Sequence, residues 1–150
     1  VKQLVLDDLN GVLAHDPFGA NSVCQGYGYK RPNWTLHDPS ARSGSLDILK
    51  IASRAFRDTR EIPIYLPAQF RRNRTYPLLI VHDGLDYLHY ADLKNVLDNL
   101  IHRMEIPAMI VALTNSPDRL IEYTGDERHA LFLGNRRPIK NPQLRVFYCS

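Results

Sequence analysis

Two uninterrupted apolar runs stand out along the chain. Pro77-Leu78-Leu79-Ile80-Val81-His82 and Ala108-Met109-Ile110-Val111-Ala112-Leu113 show no polar alternation, the pattern of strands covered on both faces. Between them Leu93, Val96, Leu97, Leu100, Ile101 and Met104 recur at spacings of three and four, which predicts an amphipathic helix. His102 and Arg103 fall in its last turn, where the helix dipole favours cations, and Pro107 stops it. Strand, helix and strand in this order predict a right-handed βαβ unit with parallel strands. A third β-rich run, Ile62-Pro63-Ile64-Tyr65-Leu66-Pro67, lies nine residues before Pro77 and is expected to form a hairpin with the run 77–82. That second run is expected at the centre of the sheet. A short helical piece around Arg128–Leu133 and a last strand, Leu144–Cys149, complete the pattern.

Residues 1–50 read differently. Asn10-Gly11, Asp16-Pro17, Phe18-Gly19, Arg31-Pro32, Asp38-Pro39 and Ser43-Gly44 crowd out any helix of ordinary length, so loops and short strands are expected. Tyr27, Tyr29 and Trp34 are expected to pack these loops onto a neighbouring domain, with ligand stacking as the alternative. The whole chain, 150 residues with 44% apolar and 23% charged, has a globular composition. No run approaches a membrane span and the first residues lack signal-peptide character, so the chain reads as soluble. Cys24 and Cys149 have no second cysteine near them, which argues against a disulfide framework or a zinc knuckle and for buried, reduced thiols. Charge is distributed in blocks: neutral to residue 50, basic over 51–74, acidic over 75–134 and basic again to the end. Arg71, Arg72 and Arg74 sit in a turn and Arg136, Arg137 and Lys140 in a late loop, so no nucleic-acid face is predicted.

The candidate chemistry gathers where the apolar strands end. His82-Asp83-Gly84-Leu85 joins a strand to a helix, a position whose backbone N–H groups stabilise an oxyanion in many hydrolases. The alternative is structural: Gly84 turns the chain, and Asp83 or Asp86 caps the helix. Thr114 to Arg119 forms the loop after the next strand, on the side where open α/β sheets bind ligands. Glu122, Tyr123 and His129 follow in the same region. Asp86, His89 and Asp92 are spaced like metal ligands but spread around a helix, so no metal site is assigned. No G-x-S-x-G, G-x-x-x-x-G-K-[ST], G-x-G-x-x-G or H-E-x-x-H motif occurs.

Ser53-Arg54-Ala55-Phe56, Ile62 to Pro67, Tyr76 to Gly84 and Asp118-Arg119-Leu120-Ile121-Glu122-Tyr123 together resemble the esterase family that includes enterochelin esterases and esterase D. The likeness covers roughly residues 45–133, and residues 1–44 resemble the tail of the small β-sandwich that precedes the catalytic domain of enterochelin esterases. It implies an α/β-hydrolase-like sheet in residues 45–150 and a cytoplasmic carboxylic ester hydrolase. Such enzymes use a serine nucleophile and no metal or organic cofactor. The implied partner is a small-molecule ester, an iron-siderophore trilactone among the candidates, with a homo-oligomer left open and no membrane or nucleic acid. Gly84 and Leu85 match the oxyanion loop, while His82, Asp83, Arg119, Glu122 and Tyr123 match the substrate-side rim. The sequence departs from the family after Leu133, where Gly134-Asn135-Arg136-Arg137 replaces the approach to the nucleophile elbow. The expectation is therefore a piece of a longer protein, lacking a stretch near 133–137 and the triad region after 150, and inactive by itself. A non-catalytic binding domain on the same scaffold is the competing reading.

Overall fold

The computed structural model describes residues 5–134, with side chains to Phe132. A small antiparallel hairpin comes first, β1 (Leu13–Asp16) against β2 (Gly19–Ser22), followed by irregular chain and a 3-10 turn at Asn33–Thr35. The main sheet has four strands: β3 (Ser45–Ser53), β4 (Asp58–Leu66), β5 (Leu78–His82) and β6 (Ile110–Thr114), in the order β3-β4-β6-β5. Helices α1 (Gly84–Tyr90) and α2 (Leu93–His102) connect β5 to β6, and α3 (Arg119–Glu122) and α4 (Glu127–Gly134) follow.

The βαβ unit forms as predicted, with β5 and β6 parallel from Leu78 opposite Ile110 to His82 opposite Thr114. The hairpin is not the predicted one. β4 pairs antiparallel with β3 over its whole length and, on its other side, with β6, so β5 lies beyond β6 and never meets β4. Val111 and Leu113 of β6 are completely buried, with β4 and β5 on the two edges of β6 and Leu97 of α2 covering their face. Among the described residues β5 pairs on one side only, with β6.

Successive residues of β4 and β6 serve opposite faces of the sheet. Ile62 and Ile64 join Leu49 and Ile110 on one side, with Phe132 of α4 against them. Tyr65, Val111 and Leu113 join Leu97 of α2 on the other. The predicted single helix is two, broken at Asp92, whose left-handed backbone (φ 48°) an aspartate tolerates better than most residues. α2 also ends before Met104. The Glu105 N–H bonds the Leu100 carbonyl and the Met104 N–H that of Ile101, a Schellman closure with methionine (φ 59°, 89% exposed) where glycine is usual.

The irregular segment before β3 is tied to this domain. Asn99, fully buried on α2, donates through Nδ2 to the carbonyls of Trp34 (2.8 Å) and Leu36 (2.7 Å), and Arg103 reaches Asn33 Oδ1 at 2.8 Å. Asp98 accepts from Tyr65 Oη and the Gly44 N–H, both at 2.8 Å, from Lys94 Nζ at 2.7 Å and from Ser43 Oγ at 3.1 Å. A Cβ on Gly44 would lie 2.5 Å from the Leu66 carbonyl, so only glycine lets the segment come this close. Tyr27, Tyr29 and Trp34 remain exposed. Cys24 is exposed too, contrary to the expected buried thiol, because no helix or strand covers residues 23–32. The predicted strand Leu144–Cys149, the basic loop at 136–140, Cys149 and the point of departure after Gly134 lie outside the described residues. No helix among the described residues is long and apolar enough to cross a membrane.

Candidate active site

Parallel strands β5 and β6 end side by side at His82 and Thr114, and the residues picked out from the sequence collect around that end. Thr114 Oγ1 donates to the Val81 carbonyl at 3.2 Å, so its contact with His82 Nδ1 at 3.4 Å requires the ring nitrogen to donate. Asp83 adopts the left-handed conformation (φ 52°, ψ 38°) and starts α1 without capping it through its side chain. Its carboxylate instead meets Arg119 at 2.9 Å, a largely exposed pair of little energetic consequence.

Gly84 is required for packing. A Cβ there would lie 2.4 Å from Leu113 Cβ and 2.5 Å from its Cα, so the glycine lets α1 sit directly on β6. Leu85 is 45% exposed, and its N–H donates to Asn115 Oδ1 at 3.1 Å. Asn115 is the first residue after β6. The sequence reading placed it in the ligand-side loop without singling it out, although its position directly after a buried strand was the available signal.

Tyr123 and His129 complete the cluster. Ring centroids of His82, Tyr123 and His129 are mutually 5.2–5.5 Å apart, in edge-to-face and tilted arrangements. The Tyr123 hydroxyl and both ring nitrogens of His129 are buried without a hydrogen-bond partner. Burial, with the nearby Asp83 carboxylate adding to it, pushes the Tyr123 phenol above its ordinary pKa. His129 Nδ1 is 3.6 Å from Glu122 Oε2, too long for a hydrogen bond.

Glu122, expected at the rim, is buried and engaged from behind. Arg60 of β4 donates to it at 2.9 and 3.3 Å and also lies 3.9 Å over the Phe56 ring, which packs edge-on against Phe132. Burial raises the Glu122 carboxyl, but the Arg60 hydrogen bonds and charge outweigh it and hold the group ionised below the usual glutamate range. Glu122 therefore ties α3 to the sheet. Arg60 and Asn115 are the two residues of this region that sequence reasoning missed. Asp86, His89 and Asp92 do not converge, and no group of three or more His, Cys, Asp or Glu side chains among the described residues is arranged to hold a metal ion. A cavity of about 230 Å³ lies elsewhere, lined by residues such as His37, Ser43, Lys94 and Asn95 and by none of the strand-end residues.

The mixed sheet carrying a parallel βαβ unit, with polar groups at the carboxyl ends of the parallel strands, is part of an α/β-hydrolase-like fold. Within that class the chain belongs to the family described as Putative esterase, whose model matches residues 53–127, half of the sequence. Solved structures agree on the fold. Ferric enterobactin esterase from Salmonella typhimurium is 18% identical with a TM-score of 0.65, the match covering 87% of this chain and 33% of that one. Enterochelin esterase from Shigella flexneri gives 18% and 0.62 over the same shares. A ferulic acid esterase from Anaeromyces mucronatus gives 15% and 0.58, covering 78% of this chain and 50% of that one. The chain thus spans about a third of the enterochelin esterases it matches. No curated protein sequence matches it.

Proposed function

We propose that this chain is the oxyanion-side portion of a carboxylic ester hydrolase whose serine nucleophile is carried elsewhere in the full-length protein. The observation that carries the reading is the family match over residues 53–127, which includes the strand–turn–helix His82 to Leu85. The Leu85 N–H supplies one of the two donors that hold the carbonyl oxygen as it gains charge, and Gly84 seats the turn. Loss of one such donor raises the barrier by about 2.7–4 kcal/mol. His82 Nε2, the Tyr123 hydroxyl, Asp83 and Arg119 form the substrate-side surface, and Glu122 fixes α3 beneath it through Arg60. Residues 1–44 are the tail of a preceding β-rich domain. A bulky siderophore ester is the substrate class, by likeness to the Shigella flexneri enzyme determined in the presence of enterobactin, with Arg119 as the exposed cation for an acidic ligand and the cytoplasm as the place of action.

The test is fluorophosphonate labelling of the full-length protein together with hydrolysis of p-nitrophenyl esters and of a ferric siderophore trilactone. Labelling of a serine with turnover of the trilactone supports both enzyme and substrate, and turnover of the simple esters alone rejects the siderophore. Neither labelling nor turnover favours the second reading, a binding domain on a hydrolase scaffold. The observation behind that reading is that the 150 residues contain no G-x-S-x-G.

A further inference from the structure

The Leu85 N–H at the centre of this reading already has a partner within the chain. Its partner, Asn115 Oδ1, comes from thirty residues further along the chain. The hydrogen bond is exposed, so water can reach the N–H, and burial does not demand the asparagine. The local cap is absent: the Asp83 carboxylate, which an ordinary helix start would turn onto this first-turn amide, is drawn off to Arg119. An asparagine Oδ1 is a carbonyl oxygen, the same type of acceptor that an ester presents. It stands where a substrate carbonyl would have to stand.

We propose that Asn115 is a specificity-determining latch, its side-chain carbonyl holding the Leu85 N–H until an acceptor stronger than an amide displaces it. The inference rests on the reading of that N–H as an oxyanion donor. An ester carbonyl is a weaker acceptor than an amide carbonyl and does not release the latch. The oxyanion of a tetrahedral intermediate is ionised, and hydrogen bonds to ionised acceptors are roughly twice as strong as neutral ones. The exchange therefore takes place as charge develops, and the donor contributes to the transition state and not to ground-state binding. No covalent bond to Asn115 forms or breaks.

Two variants of the full-length protein test this, Asn115→Leu, which keeps the size and removes the acceptor, and Asn115→Asp, which keeps the size and adds charge. In Asn115→Leu the Leu85 amide hydrogen exchanges faster. On ester substrates the same variant raises kcat/KM by roughly two- to tenfold, through kcat, because one neutral hydrogen bond no longer has to be broken as the oxyanion forms. Asn115→Asp lowers kcat/KM by more than tenfold, since the carboxylate holds the N–H harder and repels the oxyanion. A fall in kcat at unchanged KM in Asn115→Leu would overturn the latch and make Asn115 a clamp that orients the amide. Turnover with unchanged Leu85 exchange overturns the latch alone, whereas no turnover by the wild type overturns the hydrolase reading and the latch with it.

Discussion

Two polar clusters flank the same sheet and are built on opposite terms. Around Asp98 the carboxylate is saturated, with Tyr65, Lys94, Ser43 and the Gly44 N–H converging on it, and only the neighbouring Asn99 Oδ1 is buried without a donor. Around His82, the Tyr123 hydroxyl and both His129 nitrogens are buried with no partner. A saturated network holds the chain together, and here it fastens the segment before β3 to α2 and β4. An unsaturated one costs stability, roughly 1–3 kcal/mol for each buried group left unpaired. It persists where something other than stability is served. The contrast marks the Asp98 carboxylate as part of the architecture, and it agrees with the proposal that the second cluster faces a ligand.

The largest effect that would sharpen this contrast is Asp98→Ala. It strands the Tyr65 hydroxyl and the Gly44 N–H, and urea denaturation should show a loss of about 3–5 kcal/mol. Acid should reproduce part of that loss. Burial raises the Asp98 carboxyl, but its hydrogen bonds, from Lys94 first, and the Lys94 charge bring it below its ordinary value. A carboxyl depressed in the folded state contributes stability above its unfolded pKa and loses it as pH falls through the folded one. The stability gap between the wild type and Asp98→Asn should therefore be full near neutrality and narrow below about pH 4.

Gly84→Ala comes next and places a structural requirement inside the functional region. Its Cβ meets the Leu113 backbone, and overpacking of this kind costs about 1–3 kcal/mol, measurable as a lower thermal midpoint. A loss of activity in Gly84 variants thus reports folding as much as substrate approach, and activity should be normalised to the folded fraction. The smallest pair is the most direct. Tyr65→Phe removes a donor from a saturated carboxylate and should destabilise by about 1–2 kcal/mol, whereas Tyr123→Phe removes an unpartnered hydroxyl and should lie within about 0.5 kcal/mol of the wild type or be more stable. Equal losses in the two would break the comparison.

Much of this was legible in the sequence because it is local. Apolar runs placed β5 and β6, spacing placed α2, and the βαβ rule made β5 and β6 parallel. The turn His82 to Leu85 and the candidate residues Arg119 and Tyr123 were visible as polar groups following buried strands. What escaped was set by distant partners. β6, and not β5, pairs with β4, and an apolar run alone does not say which of two strands a third will join. Glu122 read as a rim carboxylate, and only the approach of Arg60 from β4 turned it inward. Asn115 is one polar residue among several in its loop until it is found on the Leu85 N–H.

The sequence by itself determined which segments become strands and helices, at which end of the sheet the candidate polar residues gather and which family the chain resembles, because periodicity and turn residues act over a few positions. Tertiary structure alone decided strand order, which polar groups were satisfied and which were left open, because a buried group's partner is chosen in space across tens of residues.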